Sequence, residues 1–298
     1  MKALLFPGQG VQKVGMIDFL LETNPETKDL LTQTSDVLDF DLFELVKNGP
    51  ENKLNLTEYA QPAILAVSLA IAKNKASYFN ASITAGLSLG EYSALVFAEC
   101  IEFKEAIRLV NARGKLMQNA VPEGTAGMLV VLNMPLQDVR ETIIKIKNSG
   151  EVIDFSTDNA EGVSVLAGTN SAIDATIKYI EGGDFKRVKT QLIKMSVPSH
   201  CSLLESAQNE LGMLLNQVDF KTPKIPVIPN ALAKPTQNVN EIKEALINQL
   251  CSTVRWRESI EYLVSNNLEM IYDAGPEKTI ISMARKIRNI GKLSLLDF

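Results

Sequence analysis

Ile83-Thr84-Ala85-Gly86-Leu87-Ser88-Leu89-Gly90-Glu91-Tyr92-Ser93-Ala94-Leu95 passes from a short apolar run, through two glycines that bracket a serine, into a helical pattern. Ile83 to Gly86 predicts a buried strand, and Leu89 to Ala98 predicts a helix. Gly86-x-Ser88-x-Gly90 is the pattern in which glycines permit a sharp strand-to-helix turn that lifts a serine hydroxyl clear of a sheet. So short a motif also arises by chance as a tight turn with an incidental serine; the strand before it and the helix after it favour a nucleophile. The helix points its N-terminal dipole at the same spot, and Glu91 in its first turn reads as a partner of that dipole rather than as a catalytic acid.

Outward from this elbow, strands and helices alternate, which implies an α/β protein with a parallel sheet. Ala3 to Phe6 predicts a strand at the start, and the turn-rich Val121 to Gly127 marks a boundary. Beyond it the pattern predicts a strand (Met128–Leu132), a helix (Pro135–Asn148), two strands (Val152–Phe155, Val163–Leu166), a helix (Ala172–Glu181) and a strand (Arg187–Met195). That β-α-β-β-α-β order is the ferredoxin-like arrangement. The larger pattern then resumes with a strand at Ile225–Ile228, helices at Glu241–Leu250 and Trp256–Asn266, a strand at Met270–Asp273 and a helix at Glu277–Arg288. Residues 127–196 are therefore expected to be a module inserted into a core made of residues 1–126 and 197–298. The Pro223, Pro226, Pro229 spacing fits an edge strand.

At 298 residues, 46% hydrophobic and 22% charged, the chain has the composition of a folded protein with a sizeable core. Its net charge of −5 argues against nucleic acid as a substrate. Cys100, Cys201 and Cys251 show neither paired nor metal-ligand spacing, and with a single histidine they predict free thiols, no metal and a cytoplasmic location. The apolar N-terminal run is broken at Pro7, so neither export nor a membrane span is expected.

A serine hydroxyl needs a base to take its proton as it attacks, most often a histidine. The one histidine, His200, lies in Val197-Pro198-Ser199-His200-Cys201, where the chain re-enters the core and where a seam between modules can hold substrate. On the helix Phe103 to Ala120 the inward stripe Phe103, Ala106, Ile107, Val110, Met117 also carries Arg113. A guanidinium directed inward requires an anion, either a buried Asp or Glu or the carboxylate of a bound acyl group. The stripe alone leaves these two readings level.

Taken together, Phe6-Pro7-Gly8-Gln9-Gly10, Gln61-Pro62-Ala63, the elbow Gly86 to Leu95, Arg113-Gly114-Lys115-Leu116-Met117-Gln118, Val197 to Cys201 and Asp273-Ala274-Gly275-Pro276 closely resemble the malonyl-CoA:acyl carrier protein transacylases of bacterial fatty acid synthesis. The resemblance runs nearly end to end. It implies an α/β-hydrolase-like core with a ferredoxin-like subdomain, Ser88 as nucleophile, His200 as base and then acid, and Arg113 as the clamp on the malonyl carboxylate. It also implies an oxyanion hole from the amides of Gln9 and Leu89, and a main-chain carbonyl, at Gln249, orienting the histidine. Implied partners are malonyl-CoA and acyl carrier protein, with no cofactor beyond the coenzyme A and phosphopantetheine of the substrates, and a monomeric protein. The chain departs from the pattern in two places: Leu87 stands where many relatives have histidine, and of Ser156-Thr157-Asp158-Asn159 only Asn159 keeps its match.

Two rivals stand beside acyl transfer: a hydrolase on the same scaffold, and a non-catalytic carrier-binding protein. For an acidic carrier, Lys186, Arg187, Lys189, Arg285, Lys286, Arg288 and Lys292 are candidate contacts, although such runs are usually solvated faces. Gly8-x-Gly10 is not a dinucleotide fingerprint, because the third glycine would fall on Lys13.

Overall fold

In chain order, Lys2–Phe6 (β1) is followed by Asp18–Thr23 (α1), Glu26–Thr32 (α2), Leu42–Asn48 (α3), Glu51–Leu54 (α4) and the long Thr57–Lys75 (α5). Ile83–Gly86 (β2), Gly90–Phe97 (α6) and Phe103–Ala120 (α7) complete the first half of the larger unit. Then come Ala126–Leu132 (β3), Leu136–Asn148 (α8), Ile153–Ala160 (β4), Val163–Thr169 (β5), Asn170–Gly182 (α9) and Lys189–Ile193 (β6). The chain closes with Glu205–Gln217 (α10), Val227–Ile228 (β7), Val239–Asn248 (α11), Trp256–Ser265 (α12), Met270–Asp273 (β8), Thr279–Ala284 (α13) and Ser294–Leu296 (β9). This computed structural model describes residues 1–23, 26–75, 80–193, 197–287 and 294–296; Lys194 and Met195 of the expected last strand, and Arg288 of the expected last helix, lie outside them.

The protein is of the α/β class, and its described residues form two sheets. One is parallel throughout, in the order β7-β2-β1-β8-β9, and pairs Phe6 with Gly86 at the ends of its two central strands. Buried from both faces, its inner strands read as continuous apolar runs such as Ala3-Leu4-Leu5-Phe6. The proline-flanked β7 is the edge, where a missing N–H costs least. The second sheet is antiparallel, in the order β4-β5-β3-β6, with α8 and α9 packed against it around Leu129, Val131, Ile143 and Ile173. β4 runs to Ala160, beyond the expected Phe155, because irregularities between Phe155 and Thr157 and between Asp158 and Ala160 break the alternation that would reveal it.

Two contacts tie the second sheet to the start of α12. Thr157 bridges Val254, with the Asp158 amide donating to the Val254 carbonyl at 2.9 Å and the Val254 amide to that of Ser156 at 2.9 Å. Asp158, which the family pattern left without a role, accepts from Arg257 Nη2 at 2.8 Å at the foot of α12. α5 is buried all round from Ala60 to Ala72, so it presents no polar face. Among the described residues, no helix is long and apolar enough to cross a membrane.

Candidate active site

The elbow is closer-packed than the motif alone requires. A Cβ on Gly86 would sit 1.8 Å from the Gly90 carbonyl carbon, and one on Gly90 would sit 2.4 Å from the Phe6 carbonyl oxygen. Only glycines allow α6 to fold back over the end of β2 and β1. Between them Ser88 adopts a left-handed backbone, φ 52°, which a side chain tolerates only when its surroundings hold it there. Asn230, just after β7, does the holding: its Oδ1 accepts from the Ser88 amide at 2.7 Å and its Nδ2 donates to the Gly86 carbonyl at 2.6 Å.

His200 is equally constrained, with φ 57° and 2% exposure. Its Nε2 lies 2.6 Å from Ser88 Oγ and its Nδ1 2.9 Å from the Gln249 carbonyl oxygen. A carbonyl oxygen only accepts, so Nδ1 carries the proton and Nε2 is free to take one from the serine. Burial, reinforced by the Arg113 charge and opposed by the Gln249 carbonyl, lowers the imidazole to about 4, which keeps it neutral at physiological pH.

Arg113 is 2% exposed, and its partners are neutral. Nη1 donates to Gln61 Oε1 at 2.9 Å, and Nη2 donates to Gln249 Oε1 at 3.1 Å and points at Ser88 Oγ at 3.4 Å. Among the described residues no ion pair joins it, so the internal salt bridge that the sequence left open does not form. α7 reaches this depth because Gly114 lets it touch α5; a Cβ there would meet Glu58 Cα at 2.6 Å. A desolvated cation facing amide oxygens is a receptor for a carboxylate.

Gly8-Gln9-Gly10 follows β1 and presses on the elbow: a Cβ on Gly8 would lie 2.8 Å from the Leu87 carbonyl oxygen. The amides of Gln9 and Leu89 meet no acceptor among the described residues, and both residues line the pocket that Ser88 faces. This cavity, about 140 Å³, is walled on one side by Leu87, Arg113 and His200 and on the other by Met128, Thr157, Asn159, Val165 and Ile193 of the second sheet. A larger cleft of about 860 Å³ lies around Arg257 and Asp158, away from the serine, and holds no nucleophile–base pair.

The structure thus brings together Ser88, His200, Arg113 and Gln249, with Gln9 and Leu89 lining the same cavity. Gln61, which stood in the Gln61-Pro62-Ala63 motif without an assigned role, and Asn230, which no pattern near it distinguishes from an ordinary polar position, are added to that set. Glu91, in the first turn of α6, turns inward: 1% exposed, its Oε2 accepts from the Asn230 amide at 3.0 Å and from Gln249 Nε2 at 2.9 Å. Lys186, Arg187, Lys189, Arg285 and Lys286 are exposed, whereas Arg288 and Lys292 lie outside the described residues.

Residues 3–280 match the family described as acyl transferase domain. The malonyl CoA-acyl carrier protein transacylase of Haemophilus influenzae is 38% identical over 298 residues, covering 99% of this chain and 94% of that protein. Its Escherichia coli K12 counterpart is 35% identical over 287 residues, covering 96% and 92%. Among solved structures, an acyl carrier protein S-malonyltransferase from Vibrio cholerae superposes with a TM-score of 0.93 at 37% identity, covering 99% of this chain and 96% of that one. A malonyl-transacylase solved in complex with its type II PKS acyl-carrier protein gives 0.93 at 36% identity, with 99% and 95% covered.

Proposed function

We propose, for a chain that belongs to the malonyl-CoA:acyl carrier protein transacylase family of acyltransferases, that Ser88 carries a malonyl group from coenzyme A to acyl carrier protein in two displacements. The observation that carries this reading is the pair of contacts on one atom, Ser88 Oγ: His200 Nε2 at 2.6 Å and Arg113 Nη2 at 3.4 Å. Base and carboxylate receptor therefore converge on one nucleophile.

In the first displacement Ser88 Oγ attacks the thioester carbonyl while His200 Nε2 takes its proton; the C–S bond breaks and the imidazolium returns that proton to the departing thiolate. In the second, the pantetheine thiol of the carrier gives its proton to His200 and attacks the serine ester, and Ser88 leaves with the proton restored. The unpartnered amides of Gln9 and Leu89 face the oxygen on which negative charge develops, where a donor is typically worth ~10²–10³ in rate. Arg113 grips the free carboxylate, which fixes the acyl group over the serine. The Gln249 carbonyl holds His200 in the tautomer the first step needs.

The parallel sheet with its helices acts as an α/β-hydrolase-like core, residues 1–126 and 197–298, and residues 127–196 as an inserted ferredoxin-like module that supplies the far wall of the pocket. Residues 186–189 and 285–286 offer an exposed basic edge for an acidic carrier, and the three free thiols fit a cytoplasmic setting.

Intact mass after mixing with malonyl-CoA tests the reading. Wild type should gain one malonyl group, Ser88→Ala none, and free coenzyme A should appear catalytically only when carrier is present. Turnover to free malonate without carrier would make the protein a hydrolase; no adduct on wild type would make it a binding protein.

A further inference from the structure

Nothing in the two displacements uses Glu91, yet this buried acid is where the two halves of the catalytic pair meet. Its Oε2 accepts from the main chain of Asn230, whose side chain clamps the amide of Ser88 and the carbonyl of Gly86, and so spans the left-handed turn from both sides. The same Oε2 accepts from Gln249 Nε2, which also donates to the Ser88 carbonyl at 3.0 Å, while the Gln249 main chain holds His200 Nδ1. The elbow and the histidine come from segments 112 residues apart, and among the described residues this oxygen joins their supports. The other oxygen, Oε1, is buried and meets no hydrogen-bond partner among the described residues. One acceptor is therefore all the arrangement uses.

We propose that Glu91 and Asn230 are positioning residues of the transfer reaction: one carboxyl oxygen fixes the serine elbow and the histidine-bearing support at a single spacing, and Asn230 holds the strained serine backbone open. Neither touches substrate, so their effect falls on the acylation step and not on malonyl-CoA binding. A 1 Å drift between Ser88 Oγ and His200 Nε2 breaks a 2.6 Å contact. The Arg113 pocket, held from the other side by Gln61, keeps its grip on the carboxylate.

The inference rests on Ser88 being the nucleophile, and single-turnover acylation by malonyl-CoA, read by intact mass, separates the two. Four folded proteins are compared: wild type, Glu91→Met, Glu91→Gln and Asn230→Asp. Methionine matches glutamate in length without a strong acceptor, so Glu91→Met should lower the saturated acylation rate ten- to a hundred-fold while the half-saturating malonyl-CoA concentration moves less than three-fold. Glutamine restores one acceptor oxygen, so Glu91→Gln should recover most of that loss. Asn230→Asp keeps the acceptor for the Ser88 amide but loses the donor to Gly86 and sets a second carboxyl beside Glu91, so it should fall at least ten-fold. Equal rates for Glu91→Met and Glu91→Gln, or a loss confined to the half-saturating concentration, would overturn the proposal. If Glu91→Met does not fold, Asn230→Asp acylating at the wild-type rate overturns it alone. Absence of any adduct on wild type would instead strike the proposed function.

Discussion

His200 Nδ1 sits 2.9 Å from the main-chain oxygen of Gln249, so a neutral carbonyl occupies the place where a carboxylate would otherwise orient the imidazole. Without a negative partner, burial and the Arg113 charge dominate, and the ring is held near 4. The second-order acylation rate reports the free protein, and it requires neutral His200. It should therefore stay on a plateau below pH 6, where an unperturbed histidine would already be charged, and fall only as pH approaches about 4. A limb centred near 6.5 in single-turnover measurements would show that the imidazole is not desolvated in this way.

Arg113 donates to the amide oxygens of Gln61 and Gln249 and to the Ser88 hydroxyl, so removing it strands no carboxylate. Arg113→Ala should remain folded, by unchanged circular dichroism, and lose malonyl transfer by ~10²–10³, the scale of a desolvated charge-assisted contact of roughly 3–4 kcal/mol. Transfer from acetyl-CoA, which has no carboxylate to lose, should change by less than about ten-fold. Equal losses on both thioesters would mean that the arginine shapes the pocket without reading the acid.

The elbow was legible because its constraint is local: two glycines, a serine between them, a strand before and a helix after are all visible within a few positions. His200 was legible because the chain offers one imidazole. Asn230 was not, since it works across the fold, 142 positions from the Ser88 amide, and nothing local marks it. Gln61 stood in a quoted motif, but its role was hidden because its partner Arg113 lies 52 positions away. Glu91 was read as a partner of the helix dipole, and it does stand in the first turn of α6; its inward direction was hidden because the burial of α6 through that turn is set by distant parts of the fold. α5 escaped periodicity because a helix buried on every side has no 3.6-residue contrast to detect.

Gly90 abuts the Phe6 carbonyl oxygen so closely that an added Cβ would lie 2.4 Å from it, in a place where backbone, not a flexible side-chain tip, must yield. Gly90→Ala should lower stability by several kcal/mol, on the order of 3, the range for overpacking a tight interior. Gly124 has a positive φ of 74° but open space around it, so Gly124→Ala should cost only about 1 kcal/mol of backbone strain. Urea unfolding of the two variants checks the contrast; similar midpoints would mean that the elbow relaxes freely.

Glu91 and His200, both buried and both bonded to Gln249, have displaced acidities of opposite sign. Burial lifts the Glu91 carboxyl from 4.5 to about 7, against its hydrogen bonds and Arg113. Between those values the folded state keeps a proton that the unfolded state has released, so the Glu91 contribution to stability falls as pH rises. His200, displaced from 6.5 to about 4, works the other way: the unfolded state binds the extra proton, and stability rises with pH across that window. The two slopes oppose each other over most of their range, each amounting to roughly 3 kcal/mol at about 1.4 kcal/mol per pH unit. Glu91→Gln removes one of them. Relative to wild type, the variant should therefore gain on the order of 3 kcal/mol between pH 4.5 and pH 7, measured by urea unfolding at several pH values. A difference that stays constant with pH would show that Glu91 is ionised throughout, and that its buried charge is compensated by Arg113 through the Gln249 amide that touches both.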